Sequence, residues 1–179
     1  MREKVFLEIM KKINSLTLPH PIRIGVDGIT ASGKTTFTKA LSDFFIKNNH
    51  DVIYTTLDGF HNPGEVRHAK GKKSPEGYYW DAYNYHSIIN ELLLPLGPNG
   101  SLEFRTEVFD LSNNSKLDEP FKKARKNSLL LVDGSFSLRE KLRDFWDFKI
   151  YLKVDFEVAL HANIVINNND PDRPMLEKL

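Results

Sequence analysis

The stretch Gly28-Ile-Thr-Ala-Ser-Gly33-Lys34-Thr35 constrains this chain more than any other. It matches the phosphate-loop pattern G-x-x-x-x-G-K-[ST], and it stands in the context that gives the pattern meaning, between a strand and a helix. Ile22 to Asp27 (IRIGVD) is short and rich in β-branched residues, as a strand would be. Phe37, Ala40, Leu41, Phe44 and Phe45 then recur at helical spacing, which predicts a helix from about Lys34 to Lys47. Asp51 to Leu57 (DVIYTTL) reads as the next strand. Strand, loop, helix and strand in this order make a βαβ unit, which implies a parallel sheet with a right-handed crossover.

Each part of the loop has a physical task. Gly28 and Gly33 let the backbone through Thr30, Ala31 and Ser32 fold into a concave nest with its N–H groups pointing inward. Those donors and the positive end of the following helix bind anionic phosphates. Lys34 brings a mobile positive charge to the β- and γ-phosphates, and the Thr35 hydroxyl is a hard oxygen ligand for Mg²⁺. Thr36 offers a further hydroxyl or N–H. A Gly-rich turn with a chance lysine is the bland alternative, and the strand–helix context argues against it.

Two aspartates follow predicted strands. Leu129-Leu-Leu-Val-Asp133 is an apolar strand ending in a carboxylate, the Walker B form, which can hold a water of Mg²⁺. Asp133 could instead simply begin a turn with Gly134. Asp58 ends VIYTTL and opens Asp-Gly-Phe-His61, so it lies at a carboxyl strand end, the edge along which open α/β sheets bind ligands. There it could accept the proton of an attacking hydroxyl, although an aspartate before glycine is also a common turn. His61 could line the same site; a lone histidine is more often a surface or hydrogen-bonded residue. Tyr78, Tyr79, Trp80, Tyr83 and Tyr85 form an aromatic cluster that could stack on a substrate or belong to the core. The run Arg67 to Lys73 could reach phosphates, but reads better as a solvated loop.

The whole chain of 179 residues reads as one domain. Val5, Phe6, Ile9, Met10, Ile13 and Leu16 predict an amphipathic helix over 2–16, ended by Pro19 and Pro21. No periodic pattern appears from Asp58 to Trp80, which is expected to be loop. Ile88 to Leu93 marks a short helix stopped at Pro95. Leu102, Phe104, Thr106 and Val108 alternate with Glu103, Arg105 and Glu107, predicting a half-buried strand. Ser128 to Val132 has the continuous apolar run of a central parallel strand. Phe148, Ile150 and Leu152 alternate as a strand with one more polar face, a helix is expected from Phe156 to about Asn167, and 168–171 is expected to be turn or loop.

Composition narrows the class. Charged residues make up 27%, the formal net charge is +1, and cysteine is absent. The charge balance argues against a nucleic-acid or acidic-membrane surface. Lacking cysteine removes disulfides, thiolate zinc sites and cysteine nucleophiles, and fits a reducing cytosol. MREKVFLEIMKKINSL, interrupted by Glu8, Lys11 and Lys12, is not expected to be a signal peptide, and no stretch approaches the roughly 18 apolar residues of a membrane span.

With these motifs in hand the chain resembles the uridine kinase, phosphoribulokinase and pantothenate kinase group of P-loop kinases, most of all the bacterial uridine kinase-like proteins. The resemblance runs from about Arg23 to Val158 through RIGVDGITASGKTTF, LDGFHNP, SPEGYYWDAYNY, FRTEVFDL, LLLVDGSF and WDFKIYLKVDFEV, in the family's order. It implies a three-layer α/β P-loop NTPase fold, with a mainly parallel central sheet and helices on both faces. Residues 1–20 would be an N-terminal helix and 59–115 a substrate-side insertion. It further implies transfer of the γ-phosphate of ATP to a hydroxyl of a small metabolite, with Mg²⁺ as cofactor, a cytoplasmic location, and a nucleoside as the leading acceptor. Asp58 matches the family's base, Asp81 an acidic residue that contacts ribose hydroxyls, and Asp133 the Walker B-like carboxylate, with Tyr83, Arg105, Phe109 and His61 as further acceptor-side candidates. A homo-oligomer stays open.

The chain departs from that pattern in two places. Where uridine kinases carry Tyr-Asp-Phe and a nearby histidine, this chain has Phe109-Asp110-Leu111 and Asn114, so hydrogen-bonded reading of a pyrimidine is weakened. Beyond Lys153 only Arg173 and Lys178 are strong cations, where the family has an arginine-rich lid, and the last strand and adenine-side loop are expected to be short or missing. Lost lid arginines cost on the order of 10³-fold or more in related transfers. Two rivals therefore stand: a kinase for another acceptor, such as pantothenate, glycerate or a sugar phosphate, and a nucleotide-binding module with little turnover.

Overall fold

The computed structural model describes residues 2–30 and 32–153, and the backbone of 165–167 and 175–178. Its centre is a four-stranded sheet of β1 (Ile22–Gly28), β2 (Val52–Thr56), β7 (Leu129–Asp133) and β8 (Phe148–Leu152). Every pairing in it is parallel, and the order is β2-β7-β1-β8. The strand rich in leucine, β7, is buried along its whole length, as a central strand covered on both faces must be. Edge strand β8 alternates between half-buried and exposed residues. Parallel pairing brings Gly28, Thr56 and Asp133 to one carboxyl edge, with Val26 in register with Asp133 and Thr56 opposite the same residue.

Alternation along the strands splits the core in two. Ile24, Val26, Leu129 and Leu131 face α1 (Arg2–Asn14) and α2 (Lys34–Lys47), where Phe6, Ile13, Leu41 and Phe45 close over them. Leu130 and Val132 point to the other face, against Leu57, Phe60, Ile88, Leu92, Leu93 and Trp146. Burying a Leu, Ile or Phe side chain is worth about 1.5–3 kcal/mol. These faces therefore hold the edge in place.

Several sequence expectations need correction. The stretch 58–80 is not all loop: it holds a 3₁₀ turn (Leu57–Phe60), α3 (Gly64–Arg67) and α4 (Pro75–Asp81). Ser74 caps α4 by accepting from the Gly77 N–H, with Pro75 at the first helical position. The helix expected at 88–93 continues α5 (Tyr85–Ser87) as a π-helical turn. The strand expected over 102–108 is reduced to β3 (Glu103–Phe104), paired with β6 (Lys122–Lys123), while β4 (Phe109–Asp110) pairs separately with β5 (Ser115–Lys116). Leu102 has φ 66°, and the amides of Arg105 and Val108 bond to the carbonyls of Glu91 and Gly59, so no long ladder forms. A four-residue helix, α6 (Glu140–Arg143), precedes β8. The helix expected at 156–167 and the loop at 168–171 fall largely outside the described residues; at the end of the former, β9 (Val165–Asn167) pairs antiparallel with β10 (Met175–Lys178). No helix among the described residues is long and apolar enough to cross a membrane.

Candidate active site

The phosphate loop leaves β1 at Gly28 and enters α2 at Gly33, which has φ 81°, a left-handed conformation that only glycine adopts without strain. A Cβ at Gly28 would lie 2.7 Å from both the Leu152 carbonyl oxygen and Ser32 Oγ, so the entry to the loop is also closed to larger residues. No side chain caps α2 and its first turn carries no acidic residue. The amides at its start keep their positive partial charge for an outside anion. Ser32 Oγ is buried without a hydrogen-bond partner, a donor suited to an anion in the loop. Lys34 is buried, and its ammonium donates to the carbonyls of Gly28 and Ile29, both at 2.9 Å. Ala31 lies outside the described residues; Thr30 and Thr36 are exposed.

At the mouth of the loop the Thr35 hydroxyl donates to Asp133 Oδ2 at 2.8 Å, and the Tyr54 hydroxyl donates to Asp133 Oδ1 at 2.7 Å. Burial, then Asp133, raise the Tyr54 phenol, so it stays a donor at neutral pH. Thr35 and Asp133 are hard oxygen groups in contact. Mg²⁺ is usually held by one or two such side chains together with phosphate oxygens and water, so this pair fits it. No group of three or more His, Asp or Glu among the described residues forms an all-protein metal cage.

Asp58 stands one turn beyond β2, with its side chain 63% exposed. Its Oδ1 accepts from the Tyr83 hydroxyl at 3.3 Å and lies 3.6 Å from His61 Nε2. His61 stacks flat on Tyr83, with centroids 4.7 Å apart, and its Nδ1 is 2.9 Å from the Ala82 carbonyl, so that nitrogen carries a proton. Backbone bonds from Asn62 to Ala82 and from Asn84 to Phe60 hold the two rings together. Burial, then Asp58, push the Tyr83 phenol upward.

His61, Arg105 and Phe109 line one cavity of about 200 Å³ with Glu91, Asn84 and Lys116. Arg105 is paired to Glu91 and Asp118. Asp81 is not brought to that cavity: its carboxylate is 3.3 Å from Lys70 Nζ. Asn114 has a structural task, accepting from the Gly64 N–H at 2.8 Å. The aromatic cluster divides. Tyr83 is core, whereas the exposed Tyr79 and Trp80 pack around the buried guanidinium of Arg139 with Phe136 and Tyr85. Sequence reasoning missed Tyr54, Arg139 and Asp27. Asp27 is buried and accepts from the amides of Gly28 (2.7 Å), Phe136 (3.2 Å) and Leu138 (2.9 Å). The one available signal for Asp27 was its place before the loop glycine, in a Val-Asp-Gly that recurs at 132–134.

Comparison with known proteins points the same way. Uridine-cytidine kinase B of Dictyostelium discoideum is 27% identical over 162 residues, a match covering 89% of this chain and 63% of that protein. A uridine kinase of Clostridium botulinum is 24% identical over 162 residues, covering 87% and 73%. The chain thus spans less than two thirds of the first relative. The fold is shared with a solved structure described as a possible uridine kinase from Bacillus stearothermophilus, with TM-score 0.72 at 19% identity, covering 88% of this chain and 85% of that one. The family model described as "Phosphoribulokinase / Uridine kinase family" matches residues 23–170, and the chain belongs to that family.

Proposed function

We propose that the chain is an ATP-dependent phosphotransferase that moves the γ-phosphate to a hydroxyl of a small metabolite, with a nucleoside as the leading acceptor and the cytoplasm as its setting. The observation that carries this is the convergence at one sheet edge of the uncapped α2 terminus, the Thr35–Asp133 oxygen pair and the Asp58 carboxylate. Bound ATP supplies the phosphoryl group, and Mg²⁺ supplies charge to its oxygens. The loop amides and Lys34 orient the phosphates. Thr35 and Asp133 would hold the metal, with Tyr54 fixing the carboxylate through its hydrogen bond. Asp58 takes the hydroxyl proton on Oδ2, the oxygen that makes no hydrogen bond among the described residues. His61 and Tyr83 hold Oδ1, which leaves Oδ2 for the acceptor.

The test is transfer from ATP to a panel of hydroxyl acceptors, paired with ATP affinity. Asp58→Asn is expected to lower turnover by about 10²–10⁴-fold with ATP affinity nearly unchanged. Equal turnover would remove Asp58 from this role, and nucleotide binding with no transfer to any acceptor would leave a binding module. A second acceptor class is favoured by one observation: Asn114, which stands where the family's pyrimidine-reading histidine would be, is spent on holding the start of α3.

A further inference from the structure

At the amino edge of the sheet, the end opposite the phosphate loop, a cavity of about 390 Å³ opens where α1 ends and β1 and β7 begin. The seven residues of β1 separate it from the loop, about 20 Å at roughly 3.3 Å per residue. Its apolar wall is Ile13, Leu16, Leu18, Ile22 and Leu129. Its polar side chains are unengaged. His20 is only 6% exposed. Its Nδ1 lies 2.9 Å from the Pro21 carbonyl, which can only accept, and 3.9 Å from Asp147, so that nitrogen carries a proton. In the neutral ring Nε2 then keeps its lone pair. That atom makes no hydrogen bond among the described residues and is not sealed from solvent, so it opens on the cavity that the ring lines. His50, edge-to-face with Phe45, and Lys126 line the same space, and neither side chain makes a hydrogen bond or ion pair among the described residues. None of the lining residues is acidic. The neighbouring carboxylates are spent elsewhere, Asp51 on the Ser128 hydroxyl and Asp147 on Arg23.

We propose that this cavity is a second ligand site, for a small amphipathic acid: a flat apolar body that carries one N–H donor and one carboxylate. The apolar wall takes the body, His20 Nε2 accepts from the donor, and Lys126 faces the carboxylate. A hydrogen bond to a ring as buried as His20 is shielded from competing water, which is where such a bond counts most. One ammonium matches one negative charge, so a carboxylate suits the site better than a phosphate dianion. An apolar wall with a few convergent polar groups, in a volume within the roughly 300–1,000 Å³ of ligand pockets, is the usual form of a small-molecule site. The site shares no residue with the phosphotransferase reading and stands or falls apart from it.

The test is calorimetric titration of the intact protein with three probes of similar shape. Indole-3-acetate carries the ring, the N–H and the carboxylate; 1-naphthaleneacetate lacks the N–H; indole lacks the carboxylate. Indole-3-acetate is expected to bind about tenfold or more tightly than indole, the worth of a charge-assisted hydrogen bond, and about threefold or more tightly than 1-naphthaleneacetate, the worth of a neutral one. Lys126→Ala, at an exposed position, should erase the first preference, and His20→Phe the second, with an unchanged circular dichroism spectrum. Filling the phosphate loop with Mg²⁺ and a non-hydrolysable ATP analogue should leave all three affinities as they were. Should His20→Phe not fold, the ring-nitrogen resonance of His20 in the wild type decides in its place: indole-3-acetate must move it. The proposal is overturned if no probe binds or all bind alike, if the variants keep both preferences, if the His20 resonance stays still, or if the ATP analogue displaces the probe, which would place it in the nucleotide site.

Discussion

Asp27→Ala should damage this protein more than any single change among the aspartates at the sheet edge, although Asp27 contacts no reacting group in the proposed mechanism. Its carboxylate receives three backbone amides, from the first loop glycine and from Phe136 and Leu138 beyond β7. It thus ties the phosphate loop to the segment that carries Arg139. Phe136 has φ 67°, a left-handed conformation that costs a non-glycine residue of order 1–3 kcal/mol and needs its surroundings to enforce it. Alanine leaves all three donors without their acceptor. Each buried donor costs about 1–3 kcal/mol when unpaired. Water reaches the two part-buried ones, so we expect a total of roughly 3–5 kcal/mol, a large share of the 5–15 kcal/mol that holds a typical domain together. In thermal unfolding this is a drop of about 6–20 °C for a chain of this size. Asp27→Asn keeps one oxygen and turns an NH₂ toward the Leu138 amide, so it should lose only about 1–3 kcal/mol. Urea titration of the two variants beside the wild type measures both numbers. A midpoint for Asp27→Ala that implies less than about 0.5 kcal/mol would refute the pinning role, since that is the range of an ordinary surface substitution.

The other predictions concern the metal pair, a buried ion pair and the tyrosines. Asp133→Asn should raise the Mg²⁺ concentration needed for half-maximal transfer by about 10–100-fold, as disturbed metal support does elsewhere; an unchanged magnesium titration would count against the Thr35–Asp133 site. Arg23 is buried, its Nε and Nη2 donate to Asp147, and its Nη1 donates to the Leu93 carbonyl. Asp147→Ala should therefore cost about 3–5 kcal/mol in urea by stranding that guanidinium, whereas a loss under about 1 kcal/mol would show that the pair is hydrated. Tyr54, Tyr83 and Tyr85 all have phenols raised by burial. Such a group contributes stability that is fully present below the unfolded phenol value of about 10 and is lost as pH rises past it. Alkaline titration of the six tyrosines should give one phenolate step in the folded protein and a second that coincides with unfolding. A single step near pH 10 with an unchanged fold would contradict the buried positions.

What was legible in the sequence was whatever local pattern alone could settle. The strand–loop–helix from Ile22 to Lys47 announces itself by β-branched residues, two glycines and a helical stripe, and β7 by an unbroken apolar run. The segment 58–80 was opaque because α3 and α4 are short and held by tertiary contacts, although Ser74-Pro75-Glu76 carries the start signal of a helix. Residues 102–108 misled in the opposite way. Phe104 is buried and Glu103 and Glu107 exposed, so the alternation is real, but the backbone hydrogen bonds go to loops and not to a long partner strand.

The same limit shows most clearly at the carboxyl edge. Three strands of the sheet lead into an Asp-Gly pair, at Asp27, Asp58 and Asp133, and residue type cannot tell them apart. Their partners can. Asp27 accepts three backbone amides and has little left to offer a ligand, so it is a structural tie. Asp133 accepts two side-chain hydroxyls, one of them itself a hard ligand, and can turn the same oxygens to a cation. Asp58 is 63% exposed and accepts one hydroxyl, on one oxygen. A general base must have a lone pair within reach of the acceptor, and of the three only Asp58 meets that condition. The ranking comes from hydrogen-bond occupancy and exposure, independently of the family resemblance, and it supports the proposal that Asp58 takes the proton.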